Sequence, residues 1–258
     1  SRGEKIWDYT EHKEFNQNIT AVGKDKEGEI SQMASKNSND EQIITVGLTA
    51  KNGKKIPDGY FVFWSDNGKE LELKKQKEGQ PRGLSRVWLM DYHKHSDVEL
   101  HWKADPRVLH PLSSDEEAKS SEKNDYYWLV TDSSKERLFH PTSTKYHKLG
   151  KVSSQKPLSF NNWEDSANGQ TAYSIWMAPE MFSHLDIEAS KCRESLSGKV
   201  RFNIVGGQAP YHVTLHREET PSYQQSMNLS SSELNQKALR LSSGKYLYNI
   251  SDAYGRTY

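Results

Sequence analysis

The sequence predicts an all-β protein, and three observations carry that prediction. Apolar residues recur at every second position along short runs, the period of a half-buried strand. Turn-forming Gly, Pro, Asn, Asp and Ser punctuate those runs at short intervals. No stretch keeps a helical period for three turns. The best helical segment, SSSELNQKALRL at 230–241, offers Ser231 or Ser232 as a cap and is expected to make one turn at most.

Residues 1–40 are polar and weakly patterned, end in SQMASKNSNDEQ, and read as an N-terminal arm or linker. After them QIITVGLT, YFVFW, ELELKK, SRVWLMDY and DVELHW each read as a strand. SDNG at 65–68 reads as a hairpin turn between two of them, because Asn-Gly supplies the positive φ angles of a primed turn. A second block, YYWLVTD, RLFH, KPLSF and TAYSIWMA, continues the alternation. Between the blocks lies the acidic, serine-rich LSSDEEAKSSEKND (112–125), so residues 41–182 form one β-sandwich domain or two divided near that segment. YFVFWSDNGKELEL and YYWLVTDSSKERLF can be superposed as strand, Asp-containing turn, Lys-Glu and second strand, an echo that two similar hairpins produce without duplication.

Composition narrows the classes of function. Only 33% of the 258 residues are hydrophobic, yet 10% are aromatic, including 7 Trp and 13 Tyr. With a mean hydropathy of −0.93 this describes thin cores under a very polar surface, while the aromatics argue against disorder. Lys plus Arg and Asp plus Glu balance at 35 each, so the basic excess of a nucleic-acid partner is missing. Cys192 is the single cysteine, which excludes an internal disulfide and a thiolate metal cluster. No apolar run approaches the roughly 20 residues that span a bilayer. The opening SRGEKIWDYT carries neither methionine nor signal peptide, as expected of a start left by processing.

Catalytic patterns are not found. There is no Gly-x-Ser-x-Gly elbow, no His-Glu-x-x-His helix and no glycine-rich loop opening a helix, so no catalytic residue and no cofactor is predicted. Cys192 reads as a small half-buried residue rather than a nucleophile. No metal is expected. The nearest approach to a ligand set is His93 and His95, on one face of a strand, with His101 on a neighbouring strand, and zinc needs three or four converging ligands. FNNWEDSANGQ sets Trp163 among Asn161, Asn162, Glu164 and Asp165, a composition that suits stacking on a sugar ring and bonding its hydroxyls. Trp64, Trp88, Trp102, Trp128 and Trp176 lie in or beside the same middle region, where strand tryptophans more often build the core.

From residue 184 the alternation becomes regular. KVRFNIV puts Val200, Phe202 and Ile204 on one face, and YHVTLH puts Tyr211, Val213 and Leu215 on one face. Between them GGQAP reverses the chain: Gly206 and Gly207 admit backbone angles closed to other residues, and Pro210 fixes φ and launches the next strand. SGKYLYNISDAYG repeats the grammar, with Gly244 at a turn and Tyr246, Tyr248 and Ile250 on one face.

GKVRFNIVGGQAPYHVTLH followed by LSSGKYLYNISDAYG resembles the SprB-type repeat of Bacteroidetes surface proteins, over about residues 184–258. The matching positions are Gly206, Gly207, Pro210, Tyr211, Gly244, Tyr246, Asp252 and Gly255, and Cys192 falls where such repeats often have a cysteine. Two departures stand out. REETPSYQQSMNLSSSELNQ is longer than the usual connection, an expected specialised loop, and Arg256 replaces a cysteine often found after the last turn glycine.

The resemblance implies immunoglobulin-like β-sandwich domains in tandem, with the repeat at 183–258, and it implies structural rather than catalytic roles for the eight residues. GRTY stands where a last strand would begin, which fits a segment of a larger protein. The expected function is that of a non-enzymatic, extracellular or cell-surface adhesin or spacer whose partner is an unidentified protein or glycan. The alternative is a carbohydrate-binding protein or an accessory domain of a polysaccharide-degrading system.

Overall fold

The computed structural model describes residues 7–8, 10–37, 44–50, 55–75, 81–93, 98–105, 124–154, 156–161, 168–190 and 196–258. Among these, regular structure is β-strand apart from short 3-10 turns. Two compact units are formed. Unit 1 comprises 1–74, 82–139 and 144–177, and unit 2 comprises 75–81, 140–143 and 178–258.

In unit 1 the strands are β1 (Gln17–Asp25), β2 (Ile30–Gln32), β3 (Ala34–Asn37), β4 (Ile44–Ala50), β5 (Tyr60–Asp66), β6 (Leu73–Lys75), β7 (Arg82–Leu84), β8 (Trp88–His93), β9 (Val98–Ala104), β10 (Tyr126–Asp132), β11 (Thr144–Lys151), β12 (Leu158–Asn161) and β13 (Asn168–Ala178). One sheet runs β11-β10-β13-β8-β5-β1-β2, with β7 beside β13 and β6 beside β7. A second runs β12-β9-β4-β3. Alternate residues of both meet in one core: Val62, Trp64, Trp88, Met90, Leu129 and Ile175 from the large sheet, and Val46, Leu48, Leu100, Trp102 and Leu158 from the small one. Period-two alternation gives each sheet an apolar face for this core, while β10 and β13 of the large sheet are buried on both faces, Trp176 packing against Phe139 and Tyr146 on the second.

Three features differ from the sequence expectation. Residues 17–37 are not an arm. β1 pairs with β5 from Gln17↔Asp66 to Lys24↔Tyr60, and Val22 is buried in the core. Gly23 makes this approach feasible, since a Cβ there would collide with the Phe61 ring and the Tyr60 carbonyl.

SDNG does not close a hairpin, for β5 pairs with β1 and β8 instead. The Asp66 carboxylate accepts the Gly68 N–H at 2.8 Å and the Asn18 side-chain amide at 2.9 Å, so it ends the strand by local hydrogen bonding.

RLFH is not a strand. Arg137 and Phe139 have φ of 51°, and the Phe139 N–H binds the Asp132 carboxylate at 2.7 Å. The echoed segments therefore share a strand that ends on a buried aspartate, and neither closes a hairpin within itself, since β10 pairs with β11 beyond the second segment.

Unit 2 contains β14 (Phe182–Glu188), β15 (Gly198–Val205), β16 (Tyr211–Arg217), β17 (Thr220–Leu229), β18 (Ala238–Leu241) and β19 (Tyr246–Ser251). Two three-stranded sheets result, β14-β15-β18 and β17-β16-β19. Val200, Phe202 and Ile204 of the first meet Tyr211, Val213, Leu215, Met227, Leu229 and Ile250 of the second in one core. The outward residues of β15 bind β14 instead. Arg201 lies 2.9 Å from Asp186 and 2.7 Å from Glu188, and Lys199 lies 2.9 Å from Glu188. Half of the expected long loop, residues 217–236, is β17, whose Met227 and Leu229 are buried. It ends in a 3-10 turn, Ser231–Glu233, where Glu233 accepts both the N–H and the hydroxyl of Ser230.

Candidate functional site

The eight residues that carry the repeat resemblance gather at two corners of unit 2. The first corner joins β15 to β16. Gly206 and Gly207 have φ of 75° and 69°, where a side chain is strained. Space also forbids one: a Cβ on Gly206 would collide with the Glu180 carbonyl, and one on Gly207 would lie 2.6 Å from Met181 Sδ. The Ala209–Pro210 peptide is cis. Tyr211 turns its ring inward and donates its hydroxyl to the Gly206 carbonyl at 2.8 Å. Burial, and then the nearby Asp252 charge, push the phenol above its ordinary range.

Asp252 is the hub of this corner. Its side chain is fully shielded from solvent. It accepts the Gln208 N–H at 3.0 Å, the Tyr254 N–H at 3.0 Å, the Arg256 N–H at 2.9 Å and Arg256 Nε at 2.8 Å. Arg256 Nη2 approaches the same carboxylate to 2.6 Å. Burial alone would raise the carboxyl, but the Arg256 side chain and the three N–H groups outweigh it and hold it below the ordinary carboxylate range. Gly255, with φ of 76°, completes the turn by donating to the Asp252 carbonyl at 2.9 Å. The Arg256 departure from the repeat pattern thus supplies the counter-charge.

The second corner joins β18 to β19. A Cβ on Gly244 would lie 2.8 Å from Arg217 Nε, so the glycine leaves room for that guanidinium, which donates to the Ser243 carbonyl at 2.9 Å. Tyr246 donates its hydroxyl to the Ser242 carbonyl at 3.1 Å. Beside this second corner an apolar cleft of about 370 Å³ opens, lined in part by Leu185, Ile187, Leu241, Tyr246 and Tyr248. Burial, with Tyr258 alongside, raises the Tyr248 phenol strongly.

The other sequence candidates fare differently. Asn162, Trp163, Glu164, Asp165, His95 and Cys192 lie outside the described residues, as do the side chains of Asn161 and His93. Trp64, Trp88, Trp102, Trp128 and Trp176 are all 5% exposed or less and build the core, leaving no face for a sugar ring. His101 is not on a strand beside His93. β8 belongs to the large sheet and β9 to the small one, and His101 Nε2 lies 2.7 Å from the Thr49 hydroxyl. No group of three or more His, Cys, Asp or Glu side chains converges among the described residues.

Sequence reading missed one titratable pair in unit 1. His12 is buried under Trp7, and its Nε2 lies 3.7 Å from Asp91. Burial raises the Asp91 carboxyl, against the opposing pull of the Tyr92 N–H and His12. The two groups lie 79 positions apart in the chain, and no local pattern links them.

Both units are thus all-β structures in which two sheets enclose a core, and no described helix is long and apolar enough to cross a membrane. The family is shown by the N-terminal two-thirds: residues 1–169 match a family described as a domain of unknown function, DUF8202. The chain belongs to that family. Neither the curated proteins nor the solved structures contain a match.

Proposed function

We propose that the chain is a non-enzymatic, exported cell-surface β-sandwich module, acting as an adhesin or spacer. Its unit 2 is read as an immunoglobulin-like domain of the SprB type, in tandem with the DUF8202 region. One observation carries the reading. The first, second and fifth strands of unit 2 form one sheet, and the third, fourth and sixth form the other. Immunoglobulin sandwiches divide their strands in this way. The eight repeat residues support it, because each closes a corner or fills the core by contacts that leave no reactive group pointing at a substrate. The balanced charge of 35 basic and 35 acidic residues suits a surface module with no nucleic-acid partner.

The test is labelling of intact source cells with a membrane-impermeant amine reagent. The lysine-rich chain is expected in the labelled fraction before lysis. Labelling only after lysis would remove the cell-surface reading.

A further inference from the structure

The outer face of the β17-β16-β19 sheet carries no Asp, Glu, Lys or Arg at its nine cross-paired positions. β16 turns Val213 and Leu215 into the core, so His212, Thr214 and His216 point outward. Asn228, Ser226 and Gln224 stand opposite them on β17. Ser251, Asn249 and Leu247 stand opposite them on β19. Thr214 and Ser251 are half-buried and the other seven are exposed. The chain is 27% charged, so nine outward positions would ordinarily hold about two charged side chains. The opposite outer face of unit 2 holds more: Asp186, Glu188, Lys199 and Arg201 form ion pairs there, and Arg240 is exposed beside them. Thr257, which bridges Ser251, lies in the plane of the sheet, so a strand beside β19 widens the uncharged face without covering it.

We propose that this face binds an uncharged polysaccharide. Three observations select that ligand. Amides, hydroxyls and the neutral imidazole each both donate and accept hydrogen bonds, as every sugar hydroxyl does, whereas a polyanion calls for donors alone. A neutral ligand laid over charged side chains would strip their water without supplying a counter-charge, and this face has none to strip. A protein partner, including a second copy of the chain, would use an apolar interface core, and the only exposed large apolar side chain among the nine is Leu247. The face is also ordered for the task. His212 Nδ1 donates to Asn228 Oδ1 at 2.8 Å, which holds both side chains in place. Three strands and alternate residues span about 10 Å by 13 Å, a footprint for a short run of sugar units rather than one ring. The site supplies a ligand for the adhesin reading above and rests on that reading for its biological use.

The test is biolayer interferometry of the purified 258-residue chain on immobilised dextran, galactomannan and xyloglucan, with polygalacturonate as the anionic counterpart. Saturable binding to a neutral polymer is expected, unchanged from about 0.05 to 0.5 M salt, with none to polygalacturonate. Asn249→Arg should weaken it at least about tenfold by burying an unpaired charge under the ligand. Arg240→Ser, on the opposite face, should leave it unchanged. If Asn249→Arg fails to fold by circular dichroism, Gln224→Glu at the other edge of the face decides. Absence of binding to all three neutral polymers would overturn the proposal, as would equal binding of polygalacturonate or binding that survives the face variants. A concentration-dependent dimer that Asn249→Arg disperses would assign the face to a second copy instead. Each of these failures removes the ligand, whereas the cell-surface location stands or falls with the labelling of intact cells.

Discussion

Asp252 concentrates the chemistry of unit 2 in one side chain. Its carboxyl is held below its ordinary range when folded, so it adds stability above the unfolded value that is lost as pH falls through the folded value. Urea midpoints of the unaltered chain should therefore drop on the acid side of the ordinary carboxylate range. Asp252→Asn should lower the midpoint at neutral pH and flatten that drop. An unchanged acid limb would mean that other carboxyls govern it. Gly206→Ala tests the same corner sterically. With φ of 75° and the Glu180 carbonyl in the way, the substitution should cost about 2 kcal/mol or more by urea unfolding. Gly255→Ala meets no atom within 4 Å and carries the angle penalty alone, about 1 kcal/mol. GGQAP and SDAYG announce themselves as turns, but nothing local reveals that Gln208 and Arg256 share the Asp252 carboxylate.

At the level of elements, β15 is the clearest case of a strand written in sequence. KVRFNIV alternates, and Val200, Phe202 and Ile204 are buried in turn. β1 is the opposite case. QNITAVGKD shows no strong alternation, yet Val22 is buried because Gly23 lets the strand lie close to β5. Its pairing partner lies some 40 residues away and is invisible to a local pattern. Removal of residues 1–37 should therefore abolish cooperative unfolding of unit 1, followed by near-ultraviolet circular dichroism. An arm would leave the transition intact. Burying Val22 alone contributes about 1.5–3 kcal/mol.

For the whole molecule, two cores imply two stability units. Trp102→Ala empties a site in the core of unit 1 and Phe202→Ala one in unit 2, each at about 3–5 kcal/mol. Calorimetry should show each substitution lowering its own transition and sparing the other, and a single transition shifted equally by both would contradict the division. The all-β class is legible from period-two alternation, the turn residues that punctuate it and the lack of a three-turn helical period. The order of strands is not, because β13 next to β8 and β18 next to β15 are pairings between distant segments. The strand tryptophans read as core and are buried, whereas Trp163 lies outside the described residues.

If these sheets serve as the exposed module proposed above, proteolytic shaving of intact source cells will release them. Brief trypsin treatment followed by mass spectrometry of the released fraction should recover peptides of this chain before any cytosolic marker. Recovery of its peptides only together with cytosolic proteins, after lysis, would rule out a cell-surface module.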